Sequence, residues 1–209
     1  MSDYNHELIG PAVSVLEAAR RLAANAKRMA LLLEGNPGNG KGHLGDELAL
    51  ELTGSIHAIE RVNGQSLSVD LVRQWRERGA YGNLFSAWTV KRVDEIDQAS
   101  SSAMAELLSF LDYQPNESAV IATTNEFPKL RALCKGRLES RFVRFHVDNP
   151  SVEETIAFLR RHYRLTTAQA RAIAQGAVPD GCLTSEGCNL RTAINDAEGL
   201  TAAKKVRAA

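Results

Sequence analysis

Cysteine is scarce in this chain: Cys134, Cys182 and Cys188 are the only three, and they form no CxxC pair. One thiol is left over from any pairing, which argues against a disulfide framework or a zinc site and for free thiols in a reducing cytosol. Long apolar runs are missing as well, so nothing approaches the roughly 20 residues of a membrane-spanning helix. The opening stretch Met1-Ser2-Asp3-Tyr4-Asn5-His6 lacks the charged-then-apolar pattern of a secretory leader. A soluble, cytoplasmic protein with no membrane partner is the expectation. An excess of one charge is also absent, because 25 Lys and Arg balance 25 Asp and Glu. Any nucleic-acid surface must therefore be a local patch. The sequence holds no repeats and no low-complexity tracts, and its 209 residues suffice for one α/β domain with a small appendage.

Strand-like and helix-like segments alternate through the first two thirds. Met29–Leu33 is an apolar run with the character of a buried parallel strand. His57–Val62, Trp88–Val93, Ala119–Thr123 and Phe142–Val147 are four further strand candidates. Helical spacing is predicted over Pro11–Lys27, Lys41–Leu52, Leu67–Arg78 and Ser100–Leu111. That order argues for a mostly parallel, three-layer α/β sheet domain over residues 1–149. Beyond Asp148-Asn149-Pro150 no strand is predicted. Ser151-Val152-Glu153-Glu154 reads as a capping box opening a helix through His162. Thr167–Gln175 and Leu190–Lys204 follow as helices, separated by the loop Pro179-Asp180-Gly181. Residues 150–209 are thus expected to form a small all-helical domain.

The chemistry gathers after the first strand. Gly35-Asn36-Pro37-Gly38-Asn39-Gly40-Lys41-Gly42 is a glycine-rich turn between a strand and a helix, the context a phosphate-binding loop requires. Backbone N–H groups of such a turn, with the positive end of the helix, cradle phosphate oxygens. Lys41 would reach the β- and γ-phosphates. The next position, where a Ser or Thr hydroxyl normally meets Mg²⁺, is Gly42. Asp94-Glu95 then closes the third strand. In one reading Asp94 holds Mg²⁺ directly or through water and Glu95 polarises the attacking water. In the other, Asp94, Glu95 and Asp97 are an acidic cluster at a helix N-terminus. Asn125 ends the fourth strand, either beside a γ-phosphate or as a turn cap. Arg137 and Arg141 precede the fifth strand, and Arg191 opens the last helix.

In this order the segments resemble the AAA+ ATPase superfamily from about Glu7 to Leu200. Glu7-Leu8-Ile9-Gly10 is similar to the adenine-side opening segment, with Ile9 and Gly10 at the base. Pro37, Gly38, Asn39, Gly40, Lys41, Gly42 and His43 match the Walker A region, and Asp94-Glu95 match Walker B. Asn125 corresponds to sensor 1, Ser140-Arg141-Phe142 resembles the arginine-finger motif, and Arg191 in Cys188-Asn189-Leu190-Arg191 resembles sensor 2. The resemblance implies ATP and Mg²⁺ as cofactors, ATP bound between the P-loop domain and the helical lid, and Arg141 or Arg137 acting on a neighbour's nucleotide. It implies a homo-oligomer or other AAA+ subunits as partners, and DNA or a DNA-bound protein as the object of assembly or remodelling.

Arg61-Val62-Asn63-Gly64-Gln65-Ser66, Val93–Asp97 and Ala122–Asn125 are similar to the clamp-loader group. The segment Arg137–Phe142 is also similar to replication initiators, and Gly40–Leu44 to helicase loaders. Gly42, Phe142 in place of a Cys, and the absence of room for a C-terminal collar depart from clamp loaders. Gly42 keeps a rival open: an ATP-binding, poorly hydrolysing scaffold or regulatory subunit. Lys91 and Arg92 interrupt a strand that two covering layers should make apolar. One or both are expected to snorkel to a surface, or to line a partner- or DNA-facing edge. With Arg73, Arg76 and Arg78 they form either a phosphate-contacting patch or a solvated helix face. Trp75, Tyr81, Phe85 and Trp88 nearby are expected to be core or a subunit contact.

Overall fold

The computed structural model describes residues 7–79, 85–179 and 187–208. Tyr81, Cys182 and most of the loop 179–181 lie outside these residues. The described chain divides into two compact units: Val15–Gly35 with Lys41–His146, and Asn36–Gly40 and Val147–Ala209 with the described part of Met1–Ser14.

The first unit is a five-stranded parallel sheet. Its strands are β1 (Arg28–Glu34), β2 (Ile59–Asn63), β3 (Thr89–Asp94), β4 (Ser118–Thr124) and β5 (Val143–His146), in the order β2-β3-β4-β1-β5. β4 is the central strand and β1 lies between it and β5, with Leu31 paired to Ile121 on one side and to Val143 on the other. Burial follows position: β4 is buried at every residue and β1 over Met29–Leu33, whereas the edge strands β2 and β5 mix exposed and half-buried residues. Strands covered on both faces favour apolar side chains, and Met29–Leu33 and Ala119–Ala122 supply them.

Helices α2 (Lys41–Thr53), α3 (Val69–Arg78), α4 (Ser101–Asp112) and α5 (Phe127–Leu133) belong to this unit, and α1 (Pro11–Ala23) leads into β1. One core cluster joins Ala30, Leu32, Val93, Val120 and Ala122 of the sheet to Trp75 of α3, Leu107 and Phe110 of α4 and Leu130 of α5. Because successive strand residues face opposite sides, Leu31, Arg92 and Ile121 fall on the other face, where α2 lies against β3 and β4.

Several elements differ from the sequence expectation: α3 begins at Val69 rather than Leu67, behind the Ser68 cap, and α8 runs to Ala208 rather than Lys204. α1 ends at Ala23 rather than Lys27, because the chain tightens into i→i+3 turns at Asn25 and Ala26. β2 begins two residues later than His57, after a 3₁₀ turn over Ile56–Ala58 capped by the Ser55 hydroxyl. α5, absent from the sequence reading, spans only seven residues with Pro128 in its first turn, too short to show a periodicity.

The second unit packs α6 (Val152–Tyr163), α7 (Thr167–Gly176) and α8 (Leu190–Ala208) around Phe158, Leu159, Leu165, Cys188 and a series of alanines. The Ser151/Glu154 capping box opens α6 as expected, and a second one, Thr166/Gln169, opens α7. Cys134 and Cys188 are buried free thiols, and burial pushes both pKa values up, which leaves them inert. Among the described residues no helix is long and apolar enough to cross a membrane.

Candidate nucleotide site

The loop after β1 takes its shape from glycine. Gly35, Gly38 and Gly40 have φ values of 149°, 84° and 93°, a region that residues with a Cβ rarely enter. Within the second unit the tip of this loop is tied down. Asn39 Nδ2 donates to Val147 O, Asn189 Nδ2 donates to Pro37 O at 3.1 Å, and the Arg191 N–H donates to Gly38 O at 3.2 Å. A Cβ on Gly38 would stand 2.2 Å from Asn189 Oδ1, so no side chain fits there. Asn189 also caps α8 by accepting from the Thr192 N–H at 3.2 Å. The Arg191 side chain itself is exposed. Ile9 packs against the helical core, and Gly10, at φ 59°, leads into α1.

Lys41 opens α2 and is buried, with Nζ donating to Gly35 O at 2.8 Å across the mouth of the loop. A lysine held there presents its charge to the backbone that would surround a phosphate. Gly42 follows, and a Cβ at that position would meet nothing within 4 Å. His43 is half-buried beside it.

The end of β3 holds the largest departure from expectation. Arg92 does not snorkel: its side chain is 0% exposed. The guanidinium donates from Nε to Asp46 Oδ1 at 3.2 Å, from Nη1 to Ile121 O at 3.1 Å, and from Nη2 to Gly42 O at 3.1 Å and Asp94 Oδ1 at 2.7 Å. Burial pushes its pKa down and Asp94 opposes that shift, but an arginine remains charged under any ordinary condition. Arg61 flanks the same carboxylates, pairing with Asp46 and approaching Asp94 Oδ2 with Nε at 3.4 Å. Room for the buried guanidinium comes from Gly45, whose Cβ would stand 2.7 Å from Arg92 Cζ.

Lys91 faces the opposite side of the sheet. It bonds Glu60 at 2.8 Å and lies 5.7 Å from the Trp75 ring, whose Nε1 also donates to Glu60 at 2.9 Å. Burial raises the Glu60 pKa, but hydrogen bonds from Lys91 and Trp75, with the charges of Lys91 and Arg78, outweigh it and hold the carboxyl below its ordinary value. Arg73, Arg76 and Arg78 pair with Asp70, Glu106 and Glu60. The basic cluster is therefore matched by carboxylates. Trp75 is core, whereas Phe85 is exposed.

Glu95 follows Asp94 in the left-handed region, at φ 51° and ψ 51°, with its side chain exposed and its N–H donating to Thr123 Oγ1 at 3.1 Å. Gly64 admits this turn, since its Cβ would stand 2.1 Å from Glu95 O. Asp97, read from sequence only as part of an acidic cluster, is buried and accepts from Thr124 Oγ1 at 2.6 Å and from the Asn125 N–H at 3.4 Å. It ties the end of β4 to the turn after β3 and so positions Asn125, whose side chain is exposed. Arg141 makes a bidentate pair with Asp112 of its own chain, both contacts at 2.9 Å, and its Nη1 donates to Arg137 O at 3.1 Å.

A family model, ATPase family associated with various cellular activities (AAA), matches residues 31–145, more than half of the 209-residue chain. A search of curated proteins found no match. Among solved structures, a DNA polymerase III gamma subunit-related protein from Thermotoga maritima superposes with a TM-score of 0.58 at 15% identity, covering 87% of this chain and 70% of that one. A RuvB mutant from the same organism superposes with a TM-score of 0.69 at 21% identity, covering 95% of this chain but only 62% of that one. At such identities the likeness is one of fold.

ATPases of this kind generally use ATP with Mg²⁺. The loop Gly35–Gly42 and Lys41 fit a triphosphate. The residues around Asp94 do not fit the metal: one carboxylate oxygen is bonded by Arg92, the other faces Arg61, and position 42 carries no hydroxyl. Among the described residues no group of three or more His, Cys, Asp or Glu side chains could hold a metal ion.

Proposed function

The chain belongs to the AAA family of ATPases, and from that premise we propose that it binds ATP through the loop Gly35–Gly42 and uses the bound nucleotide to govern assembly. The partners are further copies of the chain or other AAA+ subunits, gathered on DNA or on a DNA-bound protein. The observation that carries the nucleotide reading is Lys41, buried at the first turn of α2 behind three glycines of positive φ. Ile9 and Gly10 are assigned to the adenine and Arg191 to the γ-phosphate. The DNA setting draws on the printed name of the DNA polymerase III gamma subunit-related protein.

Two readings of the nucleotide's fate differ in their support. Glu95, Asn125 and Arg141 favour hydrolysis, with Glu95 and Asn125 orienting a water and Arg141 reaching a neighbour's nucleotide after leaving Asp112. Gly42 and the arginine-bound Asp94 favour a nucleotide-gated scaffold that hydrolyses slowly or not at all. We adopt the second as the resting behaviour of the isolated chain. Phosphate release with and without DNA, alongside light scattering with and without ATP, separates the two. ATP-dependent growth in mass with little phosphate release supports the gated scaffold, whereas brisk turnover by the chain alone rejects it.

A further inference from the structure

Arg92 is a fully buried cation two residues before Asp94, the carboxylate that the AAA+ resemblance would assign to Mg²⁺. Four contacts fix it, and they come from three elements: Gly42 and Asp46 on α2, Asp94 on β3 itself, and Ile121 on β4. α2 contributes twice more by omission. Gly42 brings no hydroxyl, and Gly45, one helical turn on, leaves the space the guanidinium fills. Two arginines, Arg61 and Arg92, stand against two aspartates, Asp46 and Asp94, so the cluster is neutral by itself. A divalent cation binds where carboxylate charge and oxygen ligands are in surplus, and it dehydrates reluctantly. Here it would find one carboxylate already paired and a guanidinium at hydrogen-bond distance.

We propose that the Arg92 guanidinium stands permanently in place of the metal, so that the chain binds its triphosphate metal-free and Asp94 serves as counter-ion to Arg92. This rests on the reading that the loop binds ATP. Lys41, the loop N–H groups and the N-terminal turn of α2 carry the recognition of the phosphates.

The experiment is calorimetric titration of the intact protein with ATP, in excess Mg²⁺ and in excess EDTA, for the wild type and Asp94→Asn. In the wild type the two affinities are expected to agree within about threefold. Asp94→Asn removes a negative charge that partly neutralises Arg92, so affinity rises in both buffers, by about threefold or more. If Asp94 were a metal ligand the same substitution would weaken binding in Mg²⁺ alone. A third protein, Arg92→Met, frees Asp94 and is expected to acquire Mg²⁺ dependence; should it fail to fold, the Asp94→Asn comparison stands by itself. Binding tightened by Mg²⁺ about tenfold or more in the wild type, or an Asp94→Asn defect confined to Mg²⁺ buffer, overturns the proposal while leaving the ATP reading intact. No binding in either buffer overturns both.

Discussion

Gly45 and Arg92 should behave as one unit, and a double-mutant cycle measures that coupling. A glycine inside a helix costs about 1 kcal/mol relative to alanine, so Gly45→Ala in α2 would ordinarily stabilise. Here the added methyl comes within 2.7 Å of Arg92 Cζ and 2.9 Å of both Nη atoms. The guanidinium cannot yield, because four acceptors hold it and no part of the side chain reaches solvent. Overpacking of this kind costs roughly 1–3 kcal/mol, so Gly45→Ala is expected to destabilise the wild type by about 1 kcal/mol net. Arg92→Met unpairs a buried cation's partners, for which about 3 kcal/mol is typical. The loss should fall somewhat below that, since Asp94 and Asp46 keep 28% and 41% exposure and Arg61 still faces both. In the Arg92→Met background the space over Gly45 is open, and Gly45→Ala should stabilise by up to about 1 kcal/mol. The coupling energy is therefore about 2 kcal/mol, read from urea unfolding of the four proteins at constant m. Additivity within about 0.5 kcal/mol would refute the packing of Arg92 against Gly45.

Other outcomes follow from the surface pairs. Arg141→Ala should leave nucleotide affinity unchanged and lower ATP-dependent assembly or turnover; mixing it with Glu95→Gln subunits should restore part of the activity if Arg141 serves a neighbour's site. No recovery in confirmed mixed assemblies would confine Arg141 to its pair with Asp112. Glu60 has a folded pKa below its unfolded value, so its contribution to stability is complete above about pH 4.3 and is lost as pH falls through the lower folded value. Glu60→Gln should flatten that acid limb in urea midpoints measured across pH, and an unchanged limb would argue against the Lys91–Glu60–Trp75 arrangement.

Much of the fold was legible because its signals are local. Met29–Leu33 and Ala119–Thr123 are apolar runs whose meaning does not depend on distant residues, and the glycines of 35–40 announce backbone that only glycine adopts easily. Asp94 and Asn125 were placed at strand ends by the same alternation. What escaped depended on pairing across elements. A strand arginine is ordinarily read as turned towards solvent. Gly45, a glycine inside α2, marks the space that the guanidinium fills. Asp97 looks like one more acidic neighbour in the sequence because its partners, Thr124 Oγ1 and the Asn125 N–H, lie 27 and 28 residues on. α5, seven residues long, is too short to carry a helical period.

Nucleotide binding at Gly35–Gly42 depends most directly on Lys41. Equilibrium titration of the intact protein with ATP, compared with Lys41→Ala, isolates the buried lysine that donates to Gly35 O. Charge-assisted hydrogen bonds contribute about 1.5–3 kcal/mol each, so saturable binding in the wild type should weaken by roughly ten- to a hundredfold in the variant. Unchanged affinity in Lys41→Ala, or no saturable binding by the wild type, would contradict a nucleotide site at Gly35–Gly42.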